Sequence, residues 1–384
     1  MYIDHIRLKN WLNFRNVDAP LSETTYLIGF NASGKSNFLD VLRFLRTLAD
    51  NSGGGLQKAV SERGGIKKLR CLQAGQDNEV RIEVQLSDGV GENRTEWRYV
   101  LGFKSEGTGR QRPIVCQEYV ERNGSTLLQR PDQDDEQDKE RLTQSHLEQV
   151  NSNLEFRELA KFLRTTTYLH LVPQFLKFAD RFGTNRLEED PFGQDFVGEL
   201  ARTPAQTRDA RLRKIHKVLI QAIPQFKDLR FARDKVTGEP HLEACCMHWR
   251  PQGAWHQEDQ FSDGTLRLIA LLWSLLNGES MLLLEEPELS LNDAIVRRTP
   301  LMIDRIKRQA KYRRQTLIVT HSEALLNNPI DGNDLLIVTP TEDGSVIRSA
   351  TADEMAMLED GLSPAEVLLP QICPEGIKQL GQFR

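Results

Sequence analysis

The residues with the clearest chemistry lie in one short segment, residues 29–36, whose sequence GFNASGKS matches GxxxxGK followed by Ser or Thr. At this spacing the glycines let backbone N–H groups curl around phosphates, Lys35 reaches the β- and γ-phosphates, and the Ser36 hydroxyl ligates Mg²⁺. An apolar stretch at 26–28 precedes the segment and an amphipathic run from Asn37 follows it. These patterns predict a strand, a phosphate-binding loop and a helix that together bind ATP with Mg²⁺.

A second chemically distinctive feature is the pair Glu285 and Glu286, which directly follows the apolar stretch 281–284. A phosphate-loop ATPase requires a buried strand that ends in two carboxylates. Glu285 would hold Mg²⁺ through its water shell, and Glu286 would orient or deprotonate the attacking water. The alternative is an acid-rich helix N-terminus, where carboxylates favour the helix dipole. The presence of the phosphate loop in the same chain favours the catalytic interpretation.

Two further positions have the chemistry of phosphate contacts. Ser262 precedes a predicted apolar helix over 264–276, so its hydroxyl and the backbone N–H groups near Gly264 could face a phosphate. The alternative is a simple serine or aspartate N-cap. His321 follows a predicted strand at 316–320. The carboxyl end of a parallel strand is where such sheets bind ligands, and the alternative is a structural histidine.

Hydrophobic patterning predicts the elements that position these residues. Residues 2–30 contain short strands, and residues 78–130 alternate apolar and polar positions between turns, which predicts an antiparallel β region. A short strand at 168–172 and a mostly helical segment at 175–225 follow. From residue 262 onward helices and strands alternate, which predicts a mostly parallel α/β sheet.

Three smaller predictions concern the middle of the chain and its basic residues. Residues 241–249 are a strand candidate, and the acidic run 131–141 is expected to be a solvated loop. Two basic clusters could follow a nucleic-acid backbone, with a solvated helix face as the alternative for each. The clusters comprise Arg208, Arg211, Arg213, Lys214 and Lys217, and Arg305, Lys307, Arg308, Lys311, Arg313 and Arg314.

Length, composition and charge limit the class of protein. The 384 residues contain 50 Lys and Arg against 55 Asp and Glu, giving a net charge of −5, and 39% are hydrophobic. This composition is ordinary for a soluble globular protein, and it excludes a collagen, a disordered tail and a disulfide miniprotein. It also argues against a uniformly basic nucleic-acid coat, while a local basic patch stays open.

The sequence predicts a cytoplasmic protein with no membrane association. The N-terminus lacks a cationic start followed by an apolar run, so no signal peptide is expected. The most apolar stretch, 268–276, is shorter than the roughly 20 residues of a membrane span. The five cysteines include no CxxC pair, which indicates a reducing compartment.

The order of these motifs resembles that of ABC-type ATPase heads, and more closely the SMC, RecF and OLD-like branch than the transporter branch. Three segments carry the resemblance: the opening IRLKNWLNF at 6–14, the loop with its Asn37, and the run LLLEEPEL at 282–289. The resemblance covers about residues 1–50 and 255–340. It implies a P-loop NTPase fold of the ABC-head type, α/β, with a mostly parallel core sheet, an antiparallel β lobe and a helical insert.

In that family two heads enclose two ATP molecules. Carried over by position, Ser262 and Gly264 would contact the γ-phosphate held by the partner head, and residues 289–293 would cross between heads. Lys35, Glu286 and His321 would be catalytic, with His321 sensing the γ-phosphate. The expected nucleotide-binding residues are Gly29, Asn31, Ala32, Ser33, Gly34, Lys35, Ser36, Asn37, Ser262, Gly264 and Gln174, and those expected to hold Mg²⁺ are Ser36, Glu285 and Gln174.

Two residues outside the core motifs are weaker candidates, and two segments depart from the family pattern. Gln174 is the best placed glutamine between the β lobe and the helical lobe, and Arg63 is either an additional γ-phosphate contact or an ordinary turn residue. Asp263 stands where many relatives have glycine or another residue. The sequence SLND at 290–293 replaces the relatives' histidine-rich run.

The resemblance implies a cytosolic ATPase that forms a homodimer or a higher homo-oligomer on ATP and acts as a sensor or motor with a separate effector, in bacterial anti-phage defence. DNA repair or chromosome maintenance, with DNA or another nucleic acid as a partner, is one alternative, and a non-hydrolysing ATP-bound scaffold is another. A transporter subunit is less well supported, because a long insert separates the loop from Ser262. The 63 residues after His321 are too few for a nuclease domain.

We therefore expect one composite head built from an N-terminal lobe at 1–174, a helical insert at 175–225 and a C-terminal lobe at 226–384.

Overall fold

The computed structural model describes residues 1–89, 91, 94–107, 111–178, 192–247, 254–278, 280–310 and 314–372. The chain forms two compact units. The first unit comprises Met1–Thr167, Gln315–Glu323 and Pro329–Arg384, and the second comprises Tyr168–Arg314 and Ala324–Asn328. The three-part division expected from the sequence stays a prediction.

The elements run in chain order as follows. Up to residue 164 they are β1 (Tyr2–Trp11), β2 (Phe14–Pro20), β3 (Thr24–Gly29), α1 (Lys35–Leu48), α2 (Leu56–Ser61), α3 (Ile66–Leu69), β4 (Val80–Asp88), β5 (Thr95–Ser105), β6 (Pro113–Arg122), β7 (Ser125–Arg130), α4 (Gln133–Gln137) and α5 (Arg157–Arg164). Then come β8 (Thr167–Leu169), α6 (Pro173–Lys177), α7 (Phe196–Arg202), α8 (Ala205–Ala222), β9 (Phe226–Arg233), β10 (Pro240–Cys246), β11 (Ala254–Gln257), α9 (Asp263–Leu276), β12 (Leu282–Glu285), α10 (Asp293–Val296) and α11 (Thr299–Gln309). The last are β13 (Thr316–Thr320), α12 (Glu323–Leu326), β14 (Leu335–Thr341), β15 (Gly344–Ser349), α13 (Ala352–Glu359) and α14 (Pro364–Ile372).

The antiparallel region of the first unit is a six-stranded sheet in the order β2-β1-β4-β5-β6-β7. Its pleat follows the sequence pattern, because the alternating residues Val80, Ile82, Val84 and Leu86 are all at most 1% exposed. Side chains alternate between the two faces of a strand, so this set forms one apolar face. The antiparallel β region predicted for 78–130 is confirmed.

A second sheet of the first unit has β3 at its centre. β3 pairs in parallel with β13 on one side and with β14 on the other, and β15 is antiparallel to β14. The strands β3 and β13 are continuous apolar or β-branched runs buried along nearly their whole length, as expected of parallel strands covered on both faces. The strand predicted at 316–320 and the helix predicted after residue 36 are confirmed.

The second unit is organised around α9, which confirms the apolar helix expected over 264–276. Leu266, Ile269 and Trp273 of this helix lie in one core cluster with Leu212 and Ile215 of α8. The antiparallel strands β9, β10 and β11 form a three-stranded sheet, and β12 is the neighbour of β8. The strand predicted at 241–249 forms as β10, with residues 248 and 249 outside the described part of the chain.

The acidic run 131–141 departs from the expected solvated loop. Part of it is the helix α4, which Asp132 begins with a capping box, and Asp135 is 1% exposed. The Arg130 guanidinium, itself buried, lies 2.8 Å from Asp135 and 2.9 Å from Glu118. Burial alone would raise the pKa of Asp135, but the hydrogen bonds from Arg130 lower it to about 2. The prediction was wrong for Gln133–Gln137, which is helical, and for Asp135, which is buried as an ion-pair partner, whereas Asp134, Glu136, Asp138 and Glu140 are exposed as expected.

Among the described residues, no helix combines the length and apolarity that crossing a bilayer requires.

Candidate nucleotide site and signature

The phosphate loop lies between β3 and α1, as predicted, and its geometry requires both glycines. A Cβ atom on Gly29 would lie 2.7 Å from the Val338 carbonyl oxygen, and one on Gly34 would lie 2.1 Å from Asn13 Nδ2. Gly34 also has a φ of 108°, a left-handed value that side chains disfavour. The close approach of β14 and of the β1–β2 turn therefore selects glycine at both positions of the pattern.

The loop and the start of α1 have the electrostatics of a polyphosphate site. Gly34 is the N-cap of α1 without a side-chain cap, and the first turn of α1 contains no acid, so the positive end of the helix dipole is not offset. Lys35 Nζ lies in the loop and donates to the carbonyls of Gly29 and Phe30 at 2.8 and 2.7 Å. Ser36 is exposed. These residues fit ATP with Mg²⁺. A protein-bound Mg²⁺ ion is coordinated mainly by the phosphates of the nucleotide, by water and by one or two protein oxygens.

Ser33 is held in the loop by two residues from distant strands and turns that the sequence did not indicate. Asn13 Nδ2 donates to the Ser33 carbonyl at 3.1 Å, and Ser345 Oγ donates to the same carbonyl at 2.6 Å. Asn13 Nδ2 also reaches Ser345 Oγ at 2.7 Å, and Asn37 Nδ2 donates to Asn13 Oδ1 at 2.7 Å. Asn37, expected to bind nucleotide, therefore braces the loop. The Ser33 hydroxyl is buried and makes no hydrogen bond among the described residues.

The first unit brings His321 to the same sheet edge as the loop. Thr320 of β13 pairs in parallel with Ile28 of β3, so Gly29, the last residue of β3, and His321, the first residue after β13, lie at the carboxyl ends of neighbouring strands. His321 is exposed there. Asn31 and Ala32 form the exposed tip of the loop, where Ala32 has a φ of 64°.

Arg63 has a definite structural role in the first unit. Its guanidinium makes a two-pronged contact with the Asp40 carboxylate, at 2.6 and 2.8 Å, and also donates to the Ala59 carbonyl at 2.7 Å. The cation lies 5.2 Å above the Phe44 ring. Arg63 thus joins α1, which follows the phosphate loop, to α2.

In the second unit the paired carboxylates lie where β12 ends. Tyr168 OH donates to the Glu285 carboxylate, and Glu286 has a φ of 46°, which is an unusual backbone conformation for a side chain of this kind. Arg267 of α9 is 5% exposed and its Nη1 donates to the Glu286 carbonyl at 3.3 Å. Burial lowers the pKa of Arg267. The sequence indicated neither Tyr168 nor Arg267.

Ser262 and Gly264 occupy the start of α9. The Ser262 hydroxyl accepts from the Thr265 backbone N–H at 3.1 Å, so the N-cap alternative is realised in the structure. A Cβ atom on Gly264 would lie 2.6 Å from the Ser290 carbonyl oxygen. Glycine therefore allows the first turn of α9 to approach the segment that follows Glu286.

Gln174 lies on α6 and its side-chain amide contacts α9. Gln174 Nε2 donates to Asp263 Oδ2 at 2.9 Å, and Lys177 Nζ donates to Asp263 Oδ1 at 2.6 Å. The residue that departs from the family pattern, Asp263, is thus the acceptor for the glutamine expected to bind nucleotide. Lys177 is a further residue of this cluster that the sequence did not indicate.

The two basic clusters differ in how much of them is accessible. In the 305–314 cluster, Lys307 and Arg314 are each 6% exposed. The Arg314 guanidinium donates to carbonyls at the end of α9, including that of Ser274 at 2.8 Å, and burial lowers its pKa to about 10. Lys311 and Arg313 lie outside the described residues.

In the 208–217 cluster, Arg208 packs over the Phe231 ring at 3.9 Å and Arg211 over the Trp273 ring at 5.1 Å. Arg213, Lys214 and Lys217 are exposed. The solvated-face alternative therefore applies to only part of each cluster, since the buried or ring-packed arginines have structural contacts.

Comparison with solved structures establishes the fold. The SMC head bound to the C-terminal winged-helix domain of ScpA matches with a TM-score of 0.55 at 16% identity, covering 93% of this chain and 99% of that one. An Smc head domain with an extended coiled coil, bound to the C-terminal domain of ScpA and derived from Pyrococcus furiosus, gives a TM-score of 0.51 at 14% identity, covering 94% and 99%. The fold is that of a P-loop NTPase of the ABC-head type, as predicted.

The family comparison covers most of the chain. The family model described as "AAA domain, putative AbiEii toxin, Type IV TA system" matches residues 25–327. The chain therefore belongs to this family, a branch of the AAA ATPases. The predicted resemblance to the SMC and RecF branch is confirmed.

Two curated relatives are similar over a shorter stretch. The DNA replication and repair protein RecF of Pseudarthrobacter chlorophenolicus is 31% identical over 88 residues, which cover 22% of this chain and 22% of that protein. RecF of Clavibacter sepedonicus is 31% identical over 88 residues, covering 23% and 22%. The chain thus matches about a fifth of the length of these relatives.

Proposed function

We propose that this protein is an ATP-hydrolysing head that pairs around ATP and acts as a sensor or motor. The observation that carries the proposal is the phosphate loop: two sterically required glycines, Lys35 within the loop, and a 14-residue helix whose N-terminus is not capped by a side chain. Such a loop binds the phosphates of a nucleotide through its backbone and its lysine.

In the proposed reaction each motif residue has one task. Lys35 binds the β- and γ-phosphates, Glu286 orients or deprotonates the attacking water, and His321 senses the γ-phosphate. Mg²⁺, held by Ser36 and Glu285 with help from Gln174, would neutralise charge that develops on the phosphates. The motif order along the chain supports this division of tasks.

The position of Ser262 and Gly264 supports the proposed pairing. They lie at the start of α9, a 14-residue helix whose dipole favours anions at that end, although Asp263 in its first turn offsets part of that effect. In the proposal they contact the γ-phosphate bound by a second copy of the chain, so ATP joins two heads.

We further propose that the paired heads act with a separate effector protein in bacterial anti-phage defence. The family description, which names a putative toxin of a toxin–antitoxin system, supports a defence role. DNA maintenance is the second candidate, and the similarity to RecF proteins over 88 residues favours it. A cytoplasmic location accompanies both.

The test of the proposed function is ATP turnover by the full-length protein, measured with and without DNA, together with the variant Glu286→Gln. We expect the wild type to hydrolyse ATP, and the variant to lose roughly 100-fold or more in rate while it retains ATP and stays paired. A wild type without turnover, combined with a variant whose ATP retention and oligomeric state are unchanged, would support the non-hydrolysing scaffold instead.

Defence and DNA maintenance are distinguished by their partners. Stimulation of turnover by DNA, without a co-purifying protein, supports the RecF-like alternative. Co-purification of one stoichiometric protein, identified by mass spectrometry and released or activated on phage infection, supports the defence role.

A further inference from the structure

The start of α9 carries two contacts beyond those that helix formation requires. Asp263 accepts hydrogen bonds on both carboxylate oxygens, from Lys177 at 2.6 Å and from Gln174 at 2.9 Å. Its side chain is 36% exposed and that of Lys177 is 15% exposed, so water shields the pair only in part. Ser262 already caps the helix by accepting from Thr265. The Asp263 contacts therefore join α6 to α9 without being needed to begin the helix.

The sign of the Asp263 charge matters because of its neighbours. Asp263 lies between Ser262 and Gly264, the two residues proposed to contact a γ-phosphate. A carboxylate at this point repels a phosphate, and the interaction is stronger where water is partly excluded. The Lys177 ammonium cancels most of that repulsion while it stays on Asp263. The same carboxylate accepts a hydrogen bond from the Gln174 amide nitrogen, so Asp263 also positions Gln174.

We propose that Asp263 raises the ATP concentration needed for pairing, and that Lys177 offsets it by masking the carboxylate. The inference rests on the proposed function, because it assigns a γ-phosphate to Ser262 and Gly264. Asp263 and Lys177 are positioning residues in this scheme: they change the charge at the start of α9 and the freedom of Gln174, and neither takes part in phosphoryl transfer.

The proposal predicts opposite signs for two substitutions in one ion pair. Asp263→Asn removes the repelling charge and should lower the ATPγS concentration for half-maximal pairing by about fivefold. Lys177→Gln exposes that charge and should raise the same concentration by about fivefold. The double variant should behave like Asp263→Asn, because no carboxylate is left to mask. Sedimentation velocity of the full-length protein at increasing ATPγS measures all three.

Two exposed residues of the second unit provide matched controls. Asp259→Asn removes an acid from the turn before α9, and Lys214→Gln removes a base from α8. Both should leave the ATPγS concentration for half-maximal pairing, here called the threshold, within about twofold of wild type. Asp263→Ser removes the same charge but introduces a residue that favours helix starts, and it replaces the asparagine variant if that protein is poorly folded.

The outcomes separate this inference from the proposed function. If Asp263→Asn and Lys177→Gln shift the threshold in the same direction, or leave it unchanged in a protein that pairs, the masking scheme is overturned and the proposed function stands. If the wild type binds ATPγS but never pairs, the pairing proposal fails and this inference fails with it.

Discussion

The phosphate loop of the first unit and the start of α9 in the second unit are supported in different ways. The loop's own Lys35 donates to the carbonyls of Gly29 and Phe30, but the groups that brace the loop from elsewhere in the unit are neutral: the Asn13 amide and the Ser345 hydroxyl donate to the carbonyl of Ser33. The start of α9 and the nearby end of β12 are braced by charged groups, with Lys177 on Asp263 and Arg267 on the carbonyl of Glu286. A neutral brace fixes one backbone shape, whereas an ionic one can respond to an arriving charge.

Lys35 provides the positive charge of the phosphate loop, and its removal is expected to have the largest effect. Lys35→Ala should weaken ATP affinity by about 100-fold, because charge-assisted hydrogen bonds to phosphate are each worth about 1.5–3 kcal/mol. Isothermal titration calorimetry with ATP measures the loss. Unchanged affinity in a folded Lys35→Ala protein contradicts the assignment of the loop.

The second test concerns close packing at the start of α9. Gly264→Ala should destabilise the protein by about 1–3 kcal/mol, because the new methyl group would lie 2.6 Å from a backbone oxygen that has little room to move. Urea unfolding gives the free energy. Gly198→Ala in α7 is the control: its methyl would meet side-chain atoms of Asp195 and Arg202, which can shift, so a change below about 1 kcal/mol is expected. Equal losses in the two variants would remove the argument for a required glycine.

A third test sharpens the role of the neutral brace. Asn13→Ala removes contacts with Ser33, Ser345 and Asn37, and it should weaken ATP affinity by about fivefold through loss of about 1 kcal/mol of loop order. Because the brace is neutral, the ratio of ATP affinities between wild type and Asn13→Ala should be the same at low and high salt. The exposed Asn16 on β2 is the matched site, and Asn16→Ala should bind ATP like the wild type. A strongly salt-dependent loss would show that the brace acts through charge after all.

The smallest effect is expected at the Glu285 carboxylate. Tyr168→Phe removes one hydrogen bond to a carboxylate that is only partly buried. The free energy of unfolding should therefore fall by about 0.5 kcal/mol. If Glu285 holds Mg²⁺, the Mg²⁺ concentration for half-maximal hydrolysis should also change. Tyr119→Phe is the control, since Tyr119 OH donates to Glu121 in the β sheet of the first unit. A shift in Mg²⁺ dependence in both variants, or in neither, contradicts a local role for Tyr168.

The sequence predicted those parts of the molecule that depend on neighbouring residues. The strand, loop and helix around Lys35 form one continuous segment, and the apolar patterns of β13 and α9 identify them without reference to the rest of the chain. For the same reason the glycines at 29, 34 and 264 were recognised, although the structure adds a packing requirement to each.

The contacts that brace these motifs were not predictable in the same way. Asn13 and Ser345 are 332 positions apart, and Tyr168 is 117 positions from Glu285. No local pattern marks a single amide or hydroxyl that acts over such a separation. Asp135 was misassigned for a related reason: an acidic run predicts solvent, and only the buried Arg130 explains why one of its members is inside.

Both ends of α9 are closed by side chains. Ser262 binds the first turn, and the buried Arg314 binds carbonyls at the last turn, including Ser274. A helix closed in this way has little tendency to fray, so its amides should exchange with deuterium only when the second unit opens as a whole. If Ser262 moved, α9 would then move with it as a rigid body. The contacts of Arg314 at the other end of the helix would change at the same time.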